Sequence, residues 1–249
     1  MLIANYRLMI FTNDNLLEFK KGYGQPYIDN SCQGIPINHT KNLHHFSDSP
    51  LVKKHNIILK RAIDITMSAT VIVFLLSWLL PILALLIKLD SPGPVFFIQK
   101  RNKKNGGIFN CIKLRTMLIT ANADSLSPLT DAGRITTLGR FLRKSHLDEL
   151  PQFINVLIGD MSVVGPRPHM LSENVKFSEL LETYNNRHHV KPGITGLAQS
   201  YGFYGPIIDI EHLNGKTEYD IFYIKNWSAL MDAKIVFRTI GHTLKKLQS

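Results

Sequence analysis

The sequence has few cysteines and few acidic residues. Cys32 and Cys111 are its two cysteines, which argues against a disulfide framework, and no group of Cys and His residues has the spacing of a zinc site. This composition fits a reducing, cytosol-facing compartment. The 19 Asp and Glu residues are outnumbered by 29 Lys and Arg residues, which gives a formal charge of +10. The excess favours nucleic acid, anionic lipid headgroups or phosphorylated small molecules as partners, without choosing among them.

Charged residues are also absent from the segment between Ile65 and Ile87. A helix of about 23 residues, rising about 1.5 Å per residue, is long enough to cross the core of a bilayer. The segment lies too far from the N-terminus to be a cleavable signal peptide. We therefore expect it to enter lipid and to remain in the mature protein.

Both flanks of this apolar segment are basic, although positive charge marks only the cytoplasmic side of a membrane. A straight span cannot place both ends on one side, whereas a re-entrant helix can. Pro81 lacks the N–H that would bond the carbonyl of Ser77, and the Ser77 hydroxyl could help to satisfy the backbone there. The pattern predicts a break at Ser77 and Pro81, with an ordinary tilted, kinked span as the alternative. The flanking cations are Lys53, Lys54, Lys60 and Arg61 before the segment, and Lys88, Lys100, Arg101, Lys103 and Lys104 after it.

These features divide the chain into three parts. Residues 1–55 form a polar extension with no legible motif, expected to be a flexible tail or a small appendage. Residues 56–89 form the membrane helix, and residues 90–249 a soluble or interfacial domain. In the domain, turn-forming residues separate a strand-like run at Val95–Ile98 from another at Ile108–Leu114, which predicts a β-hairpin. The fold class expected is α+β.

Two later segments have the pattern of basic amphipathic helices. One is Leu138–Arg143; in the other, Ser228 can cap a helix running towards Leu244, with Trp227 as an aromatic anchor at its start. Both patterns predict helices that lie on a membrane surface. The alternative is that both pack on the core of the domain and expose a solvated basic face.

The adjacent carboxylates Asp148 and Glu149 precede Pro151 and an apolar run that stops at Gly159. This pattern predicts a short helix with both acids in its first turn. Such acids can simply offset the helix dipole, a contribution of about 0.3–1 kcal/mol. Arg167 follows between two prolines, where a stiff backbone suits a guanidinium that binds an oxyanion.

At this point the chain resembles the bacterial polyprenyl-phosphate glycosyl-1-phosphate transferases, which initiate exopolysaccharide and glycan assembly. The likeness covers about Asn56 to Leu244 and consists of eight segments in a fixed order. They are Lys60–Asp64, the apolar segment, Asp90–Phe97, Lys113–Met117, Leu147–Gln152, Gly159–Pro168, Lys191–Gln199 and Tyr223–Ser228.

The resemblance implies transfer of a sugar-1-phosphate from a UDP-sugar to undecaprenyl phosphate, with release of UMP, on the cytoplasmic face of the bacterial inner membrane. It implies that Asp148 is the nucleophile that forms a phosphosugar-enzyme intermediate and that Glu149 holds a required Mg²⁺. It also implies a helix that penetrates the membrane lipid without spanning it, above a small catalytic domain. A carboxylate nucleophile beside a hard divalent ion suits chemistry at a diphosphate.

Five other residues are candidates for substrate binding on the basis of the shared segments. Arg61 and Asp64 lie three residues apart on one helix face and can pair near the phosphate of the lipid. Arg115 and Arg167 are predicted to contact the diphosphate or nucleotide, and Lys191 is a further candidate.

The sequence departs from the family pattern at several positions. Trp78 follows Ser77 where relatives commonly have proline, His146 replaces a small hydroxyl residue, and Leu114 replaces an aromatic. Ser200–Pro206 is not the usual continuation of its segment, so the sugar is not determined.

Two other functions remain as alternatives. A membrane-associated glycosyltransferase would move the sugar alone and leave UDP. A non-enzymatic, membrane-anchored binding protein would use the basic charge for nucleic acid or anionic lipid, but it would have no need for adjacent carboxylates. We therefore expect no nucleic-acid partner, and the sequence leaves homodimerisation open.

Overall fold

A computed structural model describes residues 46–119 and 132–248, and its elements form an α+β arrangement of helices with two small sheets. The first 45 residues of the predicted extension lie outside this description. The helices are α1 (Lys54–Val71), α2 (Ser77–Asp90), α3 (Thr137–Ser145), α4 (Gln152–Ile158), α5 (Leu171–Leu180), α6 (Leu197–Ser200), α7 (Ile210–Asn226) and α8 (Ala229–Gln248). The strands are β1 (Phe96–Asn102), β2 (Ile108–Leu114), β3 (Ser162–Val164) and β4 (Gly193–Thr195).

One helix of 37 residues, Lys54–Asp90, is long and apolar enough by length and composition to cross a membrane. It consists of α1, a π-helical turn at Ile72–Leu76, and α2. The departure from α-helical geometry therefore begins before Ser77, whose hydroxyl donates to the carbonyl of Val73 at 2.6 Å. The helix continues through Pro81, so the predicted break at Ser77 and Pro81 is replaced by an earlier π-helical turn.

The long helix buries a single stripe along its length. Its buried side chains are Asp64, Ser68, Leu76, Leu83 and Ile87, and they face the rest of the domain. The opposite side is apolar and exposed, with Val73, Phe74, Trp78, Leu85 and Leu89 each more than half exposed. The helix thus packs lengthwise on the domain and presents an apolar surface outward.

The predicted hairpin is confirmed. Strands β1 and β2 pair antiparallel, with Phe96 opposite Leu114 and Asn102 opposite Ile108. Asn105, at φ 59°, and Gly106, at φ 75°, make the tight turn between them. Phe109 and Cys111 of β2 point into the core.

The core lies between α4, β3, α7 and α8, around Val156, Val163 and Ile224. Residues 46–53, which belong to the predicted extension, also pack here: Phe46 and Leu51 are buried, and the Ser49 hydroxyl donates to the carbonyl of Ile224 at 2.6 Å. The described end of the extension is therefore part of the domain.

Helix α8 begins where predicted, and its Ser228 hydroxyl accepts a hydrogen bond from the N–H of Met231 at 3.2 Å. Trp227 was expected to be an interfacial anchor, but it is buried, and its indole donates to Asp232 at 3.0 Å. Asp232 also accepts from Tyr223 and pairs with Lys60 of α1, both at 2.8 Å. Asp232 thus joins the indole and α8 to the helix Lys54–Asp90, the membrane-type helix, and the indole does not face lipid.

Candidate active site

The acidic pair lies in a separate 3₁₀ turn, Leu147–Glu149, between α3 and α4. The prediction that both acids occupy the first turn of α4 is therefore wrong. His146 adopts a left-handed conformation, φ 57°, which ends α3 and turns the chain. Pro151 then stands at the N-terminus of α4, and Gly159, at φ 101°, ends that helix as predicted.

Glu149 is held by two cations. Both nitrogens of the Arg167 fork donate to its two oxygens, one of them at 2.9 Å, and Lys113 donates to Oε1 at 2.7 Å. Burial opposes ionisation of this carboxyl, but the charges of Arg167 and Lys113 outweigh it and hold its pKa well below the ordinary value. Glu149 is thus held as a carboxylate, and Arg167 lies beside the acidic pair; its contact with a diphosphate stays a prediction.

Asp148 has the opposite environment. It is only 8% exposed, and no hydrogen bond from a described residue reaches its carboxylate. Burial, followed by the charge of Glu149, raises the pKa of Asp148 to about 6. Neighbouring carboxylates whose pKa values are pushed apart commonly have different chemical roles. Asp148 is the one with oxygens free to react.

Lys113 reaches the site because α4 is bound to the edge of β2 by one side chain. The Asn155 oxygen accepts from the N–H of Ile112 at 3.0 Å, and its nitrogen donates to the carbonyl of Asn110 at 2.8 Å. Sequence reasoning selected Arg115 from the Lys113–Met117 segment and gave no role to Lys113 or Asn155. The sequence did contain a signal for Lys113. The strand pattern stops at Leu114, and Lys113 is the last cation of that strand.

Arg115 lies at the C-terminal end of α2. It is buried, and its guanidinium donates to the carbonyls of Ile87, Ser91 and Pro92 at the end of α2, the first two at 3.2 and 2.7 Å. These bonds satisfy helix-end carbonyls that have no partner within the helix. The structure thus gives Arg115 a part in holding the membrane-type helix, and its contact with a phosphate stays a prediction.

Arg61 and Asp64 do not form the predicted pair. Arg61 donates to the carbonyls of Val156 and Leu157 at 2.6 and 2.7 Å, at the C-terminal end of α4. Asp64 is buried and accepts from the Ser162 hydroxyl and the Val163 N–H, each at 2.9 Å. Arg61 thus binds carbonyls left without a partner at the end of α4, and Asp64 binds donors along β3, instead of each other. Both residues attach α1 to the domain.

Lys191 lies with Arg61 at the C-terminal end of α4. A methyl group built on Gly159 would be 3.6 Å from a terminal nitrogen of each. Burial and then the charge of Arg61 lower the pKa of Lys191. The acidic pair precedes the other end of α4, so Lys191 belongs to a separate basic cluster.

The Glu149 carboxylate could bind a hard cation only if that cation also had ligands from elsewhere. Among the described residues there is no group of three or more His, Cys, Asp or Glu side chains that could hold a metal ion. A carboxylate offers about four lone-pair sites, and Arg167 and Lys113 occupy three at Glu149. The remaining site fits Mg²⁺ that is also bound by phosphate oxygens of a substrate, the usual manner of Mg²⁺ binding in such sites.

Comparison with known proteins gives a consistent result. Residues 55–246 match the family model described as "Bacterial sugar transferase". A protein of Escherichia coli K12 named "UDP-glucose:undecaprenyl-phosphate glucose-1-phosphate transferase" is 46% identical over 194 residues, which are 78% of this chain and 41% of that protein. The "Exopolysaccharide production protein PSS" of Rhizobium leguminosarum bv. phaseoli is 42% identical over 77% of this chain and 98% of its own length.

A third relative carries a different sugar in its name. The Aeromonas hydrophila protein named "UDP-N-acetylgalactosamine-undecaprenyl-phosphate N-acetylgalactosaminephosphotransferase" is 42% identical over 73% of this chain and 43% of its own length. The chain thus spans about two fifths of the E. coli and Aeromonas relatives, whereas it matches nearly all of the Rhizobium protein.

Proposed function

The chain belongs to the bacterial sugar transferase family, and on that premise we propose that it transfers a sugar-1-phosphate from a UDP-sugar to undecaprenyl phosphate and releases UMP. The observation that carries the proposal is the unequal state of the two adjacent acids. Glu149 is bound by Arg167 and Lys113, whereas Asp148 carries no hydrogen bond from the described residues and is free to act as a nucleophile.

The proposed reaction has two displacements at one phosphorus. In the first, an Asp148 oxygen attacks the β-phosphorus of the UDP-sugar, and the bond from that phosphorus to the bridging oxygen breaks, so UMP leaves with the electron pair. In the second, an oxygen of undecaprenyl phosphate attacks the same phosphorus, and the bond to Asp148 breaks. The carboxylate is restored, and the product is a polyprenyl diphosphate sugar. The covalent step divides one difficult displacement into two easier ones.

The charge of the site supports a requirement for a divalent cation. Arg167 and Lys113 balance the two carboxylates, and Arg143 adds one positive charge near Asp148. A diphosphate diester brings a charge of about −2, which this balance does not neutralise. Mg²⁺ held by Glu149 and the diphosphate would supply the missing positive charge. A chelator should abolish turnover and added Mg²⁺ should restore it, which a binding protein without catalysis could not show.

We also propose that the long helix is re-entrant and lies at the cytoplasmic face of the bacterial inner membrane. Its buried stripe, from Asp64 to Ile87, faces the domain along its whole length. A helix that packs on the domain in this way cannot cross the bilayer unless the polar domain enters the bilayer as well. Its exposed apolar side is suited to the interior of one leaflet.

The first experiment is nucleotide release from a panel of UDP-sugars, beginning with UDP-glucose and UDP-N-acetylgalactosamine, in the presence of undecaprenyl phosphate and Mg²⁺. The native protein should release UMP, and Asp148→Asn should lose at least about 1,000-fold of that activity. Asp48→Asn, at an exposed position distant in sequence, is the matched control and should retain the activity.

A second measurement tests the covalent intermediate. Without undecaprenyl phosphate, the native protein should gain the mass of a sugar phosphate. UDP as product would support the glycosyltransferase instead, and no nucleotide product from any sugar would contradict both enzymes.

A further inference from the structure

The Arg167 loop is held through its carbonyls. Pro166 and Pro168 have no N–H, so the backbone cannot donate a hydrogen bond from either neighbour of Arg167. Each of the three carbonyls has a donor: the N–H of Gly193 at 3.0 Å from Pro166, Arg187 Nη2 at 2.7 Å from Arg167, and Arg101 Nη1 at 3.0 Å from Pro168. Two of the three donors are arginine side chains from distant parts of the chain.

Arg187 is fixed in orientation by its other contacts. It is 3% exposed, and the nitrogen that donates to Arg167 also pairs with Asp220 of α7 at 2.8 Å. Its other terminal nitrogen lies 2.7 Å from Nδ1 of His169 and 3.2 Å from the Tyr184 hydroxyl. A buried arginine with an ion-pair partner on one nitrogen can turn little. The carbonyl of Arg167 is therefore held by a rigid donor.

Arg101 holds the other side of the loop from the hairpin. It lies on β1, makes a bridge to Met170, and also donates to the side chain of Gln99. The partner strand β2 carries Lys113, the second cation bound to Glu149. The hairpin thus places one cation on Glu149 directly and fixes the backbone of the other.

We propose that Arg187 and Arg101 are positioning residues that fix the Arg167 guanidinium on Glu149. The proposal gives neither side chain a contact with substrate: Arg187 acts through the carbonyl of Arg167, and Arg101 acts through the carbonyl of the next residue, Pro168. The forked contact between Arg167 and Glu149 requires the two backbones to be placed within a fraction of an ångström. In the proposed transferase, on which the catalytic part of this inference rests, losing either donor should lower turnover although Arg167 itself is unchanged.

The first test is a double-mutant cycle on kcat/KM for the UDP-sugar. Lysine at position 187 keeps the positive charge, but its side chain is one bond shorter than that of arginine. Its nitrogen therefore falls short of the position of Nη2, which binds both Asp220 and the carbonyl of Arg167. Arg187→Lys alone should lower kcat/KM up to about 100-fold, the effect of a small misplacement in an active site. In a protein that already carries Arg167→Lys, the same change should lower kcat/KM much less, because the guanidinium that Arg187 positions is already gone. Arg101→Lys, at a less buried position, should behave in the same way.

Thr217→Val is the matched control. It removes a buried hydroxyl of α7, one turn before Asp220, that donates to the carbonyl of Leu213 at 2.8 Å. We expect this variant to change stability while keeping kcat/KM within about twofold. Equal losses of kcat/KM in Thr217→Val and Arg187→Lys, or full additivity with Arg167→Lys, would show a merely structural role and overturn the proposal.

A second cycle does not depend on catalysis. The unfolding free energy of the detergent-solubilised protein without substrate is measured for Glu149→Gln, Arg187→Lys and the double variant. If Arg187 acts through Arg167 on Glu149, the two changes should be non-additive. If the two changes are non-additive in unfolding free energy but the native protein releases no nucleotide, the proposed function is contradicted and the positioning role still holds. Additive effects on stability would remove the positioning role whatever the activity.

Discussion

At the scale of single residues, the carboxylates of Asp148 and Glu149 are adjacent in sequence but opposite in character. Two cations hold Glu149 ionised, whereas burial without a hydrogen bond makes ionisation of Asp148 unfavourable. Asp148 must be ionised to act as a nucleophile, and its ionised form lowers the stability of the folded protein.

This difference predicts effects of opposite sign on stability. The folded-state pKa of Asp148, about 6, exceeds its ordinary value of 3.8, so the folded protein binds the proton more tightly, and stability falls as pH rises through this interval. Above pH 7 the ionised group costs up to about 3 kcal/mol. Without substrate or divalent ions, Asp148→Asn should raise the unfolding free energy at pH 8, and the gain should nearly vanish at pH 4.

Glu149→Gln is the comparison for this prediction. Its depressed pKa means that the ionised form stabilises the folded protein above the ordinary pKa, so this substitution should lower the unfolding free energy at pH 8. Both quantities can be measured by chemical unfolding in detergent. A loss of stability in Asp148→Asn at pH 8 would contradict the environment described for that carboxylate.

Arg115 gives a second prediction at this scale. Arg115→Lys cannot serve the carbonyls of Ile87, Ser91 and Pro92 together, so we expect a loss of about 2–4 kcal/mol in unfolding free energy. The KM for the UDP-sugar should not change. Arg140→Lys, on the exposed side of α3, is the control and should alter neither quantity. A raised KM with unchanged stability would restore the phosphate contact expected from the sequence.

Some of the candidate site residues could be predicted from the sequence and others could not. Asp148, Glu149 and Arg167 could be predicted as one group because each has unusual neighbours, two acids in succession and an arginine between prolines. Arg61 and Arg115 bind backbone groups at the ends of α4 and α2, and Asp64 binds a backbone N–H of β3. Such partners exist only after the chain has folded, so residue type and spacing do not reveal them.

At the scale of elements, α3 lies unusually close to the segment after β2. A methyl group built on Gly139 would be 2.1 Å from the carbonyl oxygen of Thr116, and Arg143 of α3 donates to the Thr116 hydroxyl at 2.8 Å. Glycine at this position lets the helix approach the backbone directly. The approach sets the position of His146 and of the acidic turn that follows.

Gly139→Ala should therefore separate α3 from Thr116 and lower both stability and turnover, although alanine is the better helix former. Gly241→Ala in α8 is the matched control, because a methyl group there would meet no atom within 4 Å. That change should raise the unfolding free energy by about 0.5–1 kcal/mol. Stability changes of the same sign in the two variants would contradict the close contact.

The elements themselves were predicted unevenly. The hairpin and α8 follow from turn residues, strand alternation and a capping serine, and the structure has both. The boundary at the acidic turn was missed because it depends on the left-handed backbone of His146, a conformation that a non-glycine residue rarely signals. The π-helical turn at Ile72–Leu76 likewise has no marker in an apolar run.

At the scale of the whole molecule, the membrane-type helix is one side of the domain and not a separate stalk. The sequence predicted that this segment enters lipid from its lack of charge, but it could not show the buried stripe, because buried and lipid-facing positions are both apolar. The stripe also includes Asp64, which the Ser162 hydroxyl and the Val163 N–H satisfy and which a helix surrounded by lipid would not bury without such partners.

The re-entrant arrangement predicts the labelling of single cysteines. With Cys32 and Cys111 replaced by serine, cysteines at the exposed positions His55 and Asp90 should react with a membrane-impermeant thiol reagent from the cytoplasmic side only. A cysteine replacing Phe74, which is 75% exposed in the structure, should be protected by lipid until detergent is added. Labelling of His55→Cys and Asp90→Cys from opposite sides would show a span.

The contacts that attach this helix to the domain also impose an order on biosynthesis. Arg61 and Asp64 bond residues 95 and 98 positions later in the chain, and the partner of Lys60 comes 172 positions later. A ribosome therefore delivers the apolar helix before it has made any of these partners. Until residues 156–163 emerge, Arg61 and Asp64 have only water and lipid headgroups to bind, and Lys60 has to wait for Asp232. A chain that stops short of Asp232 therefore carries a helix whose final arrangement has not been set.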